Sequence, residues 1–211
     1  MFRALRRNAL VGWALAGCES VIVREEGNSR ILVRVSETPP SKVRNPTEPW
    51  LRGHIRHRCS IIAQVLDSFD QAQEDLEYFT APLADEEMWV EPDGLASTGF
   101  HIRHIAGSVD RLVTYLKGDA LTSAQMAELS REKAGGAARV ELLDALRTGF
   151  AAAAKVLEKL DPLTFDQPRT VGRRHLPTTV GGLTVHIAEH TQRHTGQAIV
   201  TAKVVAARRR A

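Results

Sequence analysis

Cysteine is nearly absent from this chain of 211 residues, and each of its shortages closes off a class of protein. Cys18 and Cys59 are too few for a disulfide framework and fit no CxxC metal pattern. Aromatic residues make up only 5%, and net charge is only +3. The basic excess lies at the ends, in Arg3, Arg6 and Arg7 and in Arg208, Arg209 and Arg210. A terminal run of arginines suits a solvated helix end, where cations complement the dipole. No basic stripe studded with aromatics is present, so nucleic acid is not the expected partner. No apolar run reaches the length of a membrane span. Neither a glycine-rich phosphate loop nor a Ser-His-Asp arrangement is visible. What remains is 43% hydrophobic and 25% charged, ordinary for a globular chain that can build a core without disulfides.

The first twenty residues admit two readings. Three arginines precede a short apolar run at 9–16, and LeuAlaGlyCys at 15–18 has the form of a lipoprotein cleavage box. The apolar run is thin for a signal peptide, so the expected location is cytoplasmic, with a lipoprotein anchored through Cys18 as the alternative. Residues 21–35 can form a short strand or hairpin. The prolines of SerGluThrProProSerLys and AsnProThrGluPro then make a linker. Residues 1–49 are therefore an irregular N-terminal extension, 50–207 the folded domain and 208–211 a basic tail.

From residue 54 the hydrophobic period is that of helices. Ile55, Cys59, Ile62, Leu66, Phe69, Leu76 and Phe79 form one stripe, with Asp67, Asp70, Glu74 and Asp75 outside it. A second helix runs from an N-cap at Ser97 to a stop at Gly118. Thr122 and Gln125 are spaced as a capping box for a short connecting helix. A third long helix carries Leu143, Leu146, Phe150, Ala153, Leu157 and Leu160 and stops at Asp161-Pro162. Residues 163–179 suit a loop or small hairpin, and a fourth long helix spans 181–206. The expected fold is all-α, a four-helix bundle with a short connecting helix.

The last helix carries His186, His190 and His194 one turn apart, in VHIAEHTQRHTGQ. Residues at i and i+4 lie one above the other, so two imidazoles so placed can grip one ion. The inward stripe traced in steps of three or four is Leu183, Ile187, His190, His194, Ala198 and Thr201. Two histidines thus stand where apolar side chains belong, and buried imidazoles need partners for both nitrogens. His104, in GFHIRHIAGSVDRL, can point inward from the second helix, and a ligand from a neighbouring helix would complete a cap. The metal ligands read from this pattern are His104, His190 and His194, with an all-imidazole donor set that favours Zn²⁺ or Ni²⁺. His101 is expected to be a solvated neighbour. His186-Ile-Ala-Glu189-His190 also matches HxxEH, but that pattern needs an acidic ligand downstream, and no Asp or Glu follows His194. Asp110 and Glu189 are candidates to orient the imidazoles, although each is more ordinary as an exposed carboxylate. Arg193 and Gln197 can flank the ligand face and hold an anionic substrate, and Arg111 and Tyr115 can stand at a pocket wall.

Residues 99–108, GlyPheHisIleArgHisIleAlaGlySer, and 190–197, HisThrGlnArgHisThrGlyGln, make residues 50–206 resemble the DinB/YfiT-like metalloprotein superfamily. Carried over residue by residue, its three metal ligands fall on His104, His190 and His194. Many members have Arg before GlyGln, where this chain has Thr195. The resemblance implies a homodimeric bundle, a small-molecule substrate, and a metal that activates water or a low-molecular-weight thiol. The corresponding enzymes would be thiol S-transferases or hydrolases. A non-catalytic metal-binding module, serving a stress response or a protein partner, is the alternative. No catalytic residue beyond the ligands is assigned.

Overall fold

The structure is a computed structural model that describes residues 21–26, 29–34, 44–53 and 55–209. The chain divides into two units, Met1–Ser41 and Lys42–Ala211. In the first, β1 (Val21–Glu26) pairs antiparallel with β2 (Ser29–Arg34), in register from Val21 opposite Arg34 to Glu26 opposite Ser29. Part of the extension is therefore a regular hairpin. The cleavage box ending at Cys18, and Arg210 of the basic tail, lie outside the described residues.

The second unit is the helical bundle. It comprises α1 (Ser60–Thr80), α2 (Thr98–Lys117), the short α3 (Ser123–Arg131), α4 (Arg139–Leu157) and α5 (Val180–Arg208). A small hairpin, β3 (Pro168–Val171) with β4 (Leu176–Thr179), leads into α5. Local chemistry sets the helix ends. The Ser97 hydroxyl accepts from Phe100 N at 3.2 Å, which satisfies one of the amides left free at a helix start. Gly118 closes α2 at φ +87°, a conformation that costs glycine little. The capping box of α3 is complete: Thr122 Oγ1 accepts from Gln125 N, and Gln125 Oε1 accepts from Thr122 N. Thr179 caps α5 by accepting from Gly182 N at 3.0 Å.

The long helices form a ring in which α5 packs on α1 and α2, α2 on α4, and α4 on α1. Ile62, Leu66, Leu76, Ile102, Ile105 and Leu146 are fully buried inside it, each stabilising the fold by about 1.5–3 kcal/mol. Phe69 of α1 stacks on Phe150 of α4 with centroids 4.4 Å apart. Among the described residues, no helix is long and apolar enough to cross a membrane.

Two details of the first helix differ from the sequence reading. Ile55 is 90% exposed and precedes α1, because the apolar period ran past the true helix start at Ser60. Asp67 and Asp75, on the face turned away from the core, are nonetheless buried. The segment before α1 accounts for their neutralisation: Arg44 pairs with Asp75 at 2.7 Å, Arg52 with Glu74 at 2.6 Å, and Arg56 with Asp70 at 2.5 Å and Asp67 at 3.7 Å. Arg44, placed in the extension by the sequence reading, and Arg52 and Arg56, at the start of the folded domain, are thus tied to the outer face of α1.

Candidate metal centre

His101 of α2 meets His194 of α5, and Ser108 of α2 meets His190, so the two helices run antiparallel with imidazoles along their seam. His104, His190 and His194 each offer a ring nitrogen, and the three nitrogens lie within 4.8 Å of one another. His104 and His194 have ring centroids 4.4 Å apart, and His190 and His194 4.6 Å. All three are half-buried. The i, i+4 spacing brings His190 and His194 together on α5, and the antiparallel packing delivers His104 between them.

Hydrogen bonds select which nitrogen each ring presents. His104 Nδ1–H donates to Glu132 Oε2 at 2.7 Å. The Ser108 hydroxyl spends its proton on Ile105 O at 3.1 Å, so its oxygen accepts from His190 Nδ1, 3.3 Å away. His194 Nδ1 lies 3.0 Å from His101 Nδ1, and only one of the two can carry the proton. Every Nδ1 of the trio is therefore engaged, and no described protein group takes their Nε2 atoms. A neutral imidazole held through Nδ1 presents Nε2 as a lone-pair donor. Burial, joined by the nearby His104, pushes His190 and His194 down to about 4, so both are neutral near pH 7. Three imidazoles this close are a donor set that could hold a metal ion.

Several sequence expectations change here. His101 is only 5% exposed and sits behind His194, so it is no solvated neighbour. Burial lowers its pKa to about 4, with His104 adding to the effect. The buried stripe of α5 runs Ile187, Thr191, Thr195, Ala198; His190 and His194 stand on its shoulder towards α2. Thr195 is buried and donates to Thr191 O at 2.9 Å. His186 is engaged by Glu189 at 2.8 Å and stays outside the trio, so no HxxEH site forms.

Neither carboxylate proposed to orient the imidazoles does so. Asp110 accepts from Gln125 Nε2 at 2.7 Å, and Glu189 pairs with His186 and Arg193. The carboxylate that does so is Glu132, just past the end of α3, which sequence reasoning missed. Arg111 is buried against Glu132 at 2.7 Å and, as expected, stands at a pocket wall, lining a cavity of about 290 Å³ with Gly107 and Asp110. Tyr115 lines another cavity, of about 790 Å³, with Arg169, Arg173 and His175. Eleven residues separate it from His104, roughly 16 Å along the helix at 1.5 Å per residue. Arg193 is exposed and paired with Glu189, and Gln197 is exposed.

A ring of four helices with three imidazoles across one antiparallel seam defines a helical-bundle protein carrying a histidine cluster of metal-ligating type. The profile of the DinB superfamily matches residues 68–198, and the chain belongs to that superfamily. A crystal structure of a conserved protein from Enterococcus faecalis has a similar fold, with a TM-score of 0.56 at 18% identity. The match covers 67% of this chain and 95% of that one. No curated protein matches this chain.

Proposed function

We propose that this protein binds one divalent cation, Zn²⁺ or Ni²⁺, through His104, His190 and His194, and uses it in chemistry on a small molecule. The observation that carries the reading is that His104, His190 and His194 bring ring nitrogens from two helices within 4.8 Å of one another, with every Nδ1 engaged inside the protein so that Nε2 is the nitrogen each can offer a cation. Three protein ligands leave a coordination position for an exogenous group, as catalytic sites do. A cation held there supplies Lewis acidity, which lowers the pKa of water or of a low-molecular-weight thiol. Membership in the DinB superfamily supports the thiol as co-reactant, in an S-transferase type of reaction, and supports a homodimer. This chain's own residues orient the donors: Glu132 holds His104, Ser108 holds His190, and His101 holds His194. Phe100 stacks on His104, with centroids 5.4 Å apart, and restricts its ring from the other side.

Elemental analysis of the purified protein tests the reading. One Zn or Ni per chain is expected, falling to background in His194→Ala while the helical circular dichroism persists. Full metal content in that variant overturns the ligand set. Metal-dependent turnover of electrophiles with a panel of low-molecular-weight thiols, and of esters with water, then separates the enzyme from a non-catalytic metal module.

A further inference from the structure

The short helix α3 contributes no residue to the core. Yet both of its ends are anchored to α2. At its start, Gln125 Nε2 donates to Asp110 Oδ2 and Thr114 Oγ1, each at 2.7 Å. At its end, the Arg103 guanidinium donates to the carbonyls of Arg131 and Ala134 and lies 4.6 Å over the Trp89 ring. Between these anchors stands Glu132, 5% exposed, with one carboxylate oxygen on His104 and the other on Arg111.

Gly107, in the middle of α2, makes this arrangement sterically possible. A Cβ at that position would meet Arg111 Nη1 at 2.8 Å and Glu132 Oε1 at 2.9 Å, closer than real Cβ atoms approach. Glycine inside a helix is otherwise unfavourable, so its presence needs a packing reason. Here the reason is that an ion pair crosses the helix surface where a side chain would stand.

We infer that Glu132, held by Arg111 in the space left by Gly107, is a positioning residue that sets the metal affinity of the site by locking His104 with Nε2 as its donor. The inference rests on the metal-binding reading above. A carboxylate that accepts from a ligand imidazole fixes its tautomer and ring orientation and raises its basicity, and losing such a partner typically weakens metal binding 10–100-fold. The one carboxylate within α3, Glu128, is exposed and pairs with Arg131, so it serves as an internal control.

Zn²⁺ affinity, measured by competition with a chromophoric chelator, and the visible spectrum of the Co²⁺-loaded protein provide the test. Glu132→Gln is isosteric but removes the charge; it is expected to weaken Zn²⁺ binding about 10–100-fold and to shift the Co²⁺ bands. Gly107→Ala leaves every charge in place and favours the helix, yet drives a methyl group between Arg111 and Glu132. It is expected to weaken Zn²⁺ binding in the same direction with no loss of thermal stability, which a merely structural Glu132 would not produce. Glu128→Gln is expected to bind as the wild type does. Wild-type affinity and an unchanged Co²⁺ spectrum in both Glu132→Gln and Gly107→Ala overturn the inference while leaving the three-histidine site intact. Should Glu132→Gln not fold, Gly107→Ala alone decides. A wild-type protein that takes up no Zn²⁺, or a His104→Ala variant that still binds it fully, overturns the metal reading and this inference with it.

Discussion

Two seams of the same bundle are built to opposite ends. Between α1 and α4 the buried part of the contact is hydrocarbon, with Phe69 stacked on Phe150 and Leu66, Leu76, Leu146 and Leu157 buried, while Arg139 and Arg147 of α4 flank it with bonds to Glu77 and Thr80 of α1. Between α2 and α5 the middle of the contact is imidazole, four rings from His101, His104, His190 and His194, supported by Ser108 and Glu132. Helix pairs offer the same rows of i and i+4 positions in both cases. What differs is whether those positions receive groups whose burial is favourable or groups whose burial must be compensated by hydrogen bonds. The α1–α4 seam buries apolar side chains that stabilise the fold. The α2–α5 seam holds polar atoms in fixed directions and depends on the rest of the fold to do so.

The largest expected effect that would break this division comes from the apolar seam. Phe150→Ala should destabilise the protein by about 3–5 kcal/mol, the usual range for emptying a buried aromatic site. Its metal content, measured below the melting transition, should stay that of the wild type. Chemical denaturation gives the first number and elemental analysis the second. A Phe150→Ala protein that folds but loses its metal would show the two seams to be coupled.

A smaller effect, of opposite origin, is expected from pH. His101, His190 and His194 titrate at about 4 in the folded protein, below the ordinary histidine value of 6.5, chiefly because they are buried. In the unfolded chain they bind protons as pH falls through 6.5, whereas in the fold they do so only near 4. Between those values the unfolded state holds more protons, so stability of the metal-free protein should be full above pH 6.5 and decline as pH falls towards 4. The half-buried rings are partly screened by solvent, which keeps the decline modest. Melting temperatures at a series of pH values, in the presence of a chelator, provide the check. Phe150→Ala should shift the whole curve down without changing its slope, while His190→Ala should flatten it. Equal slopes in all three proteins would remove the electrostatic distinction between the seams.

How far the seams were legible beforehand follows from how local their causes are. Ser97, Gly118, Thr122 and Gln125 act on backbone groups within a turn of themselves, and the three caps they form were all legible in the sequence. His190 and His194 were readable because i, i+4 spacing survives any arrangement of the bundle, and His104, on another helix, was reached from its place beside Ile105 and from the family resemblance. His101 was misread because its burial depends on His194 lying across it, a tertiary fact that position along α2 does not disclose. Ile55 was misread because apolar spacing does not say where the chain joins the core. Asp67 and Asp75 were read as outside the stripe, which they are, yet arginines from the preceding segment pair with them. Glu132 left only an indirect trace: Gly107, a helix-interior glycine one turn before Arg111, marked a place where something comes close. Nothing in the residues around Glu132 itself said what it would touch.

The smallest effect sharpens the contrast at its finest point, because it asks whether a cap far from the core reaches the imidazole seam. Thr122 caps α3 at its start, and removing its hydroxyl should cost about 1 kcal/mol of local helix stability. Since α3 buries nothing in the core, that loss should fall on the segment rather than on the bundle. Global unfolding of Thr122→Ala should then move little, while hydrogen exchange at the α3 amides quickens by about fivefold, the factor that 1 kcal/mol gives at 25 °C. The rest of the metal-free protein should exchange as before. An equivalent cap removal on α2, Ser97→Ala, acts on a helix that spans the core, and there the same loss of about 1 kcal/mol should appear in the global transition instead. A Thr122→Ala protein whose global stability drops as far as that of Ser97→Ala would show α3 to be part of the cooperative core and not a segment merely anchored on α2.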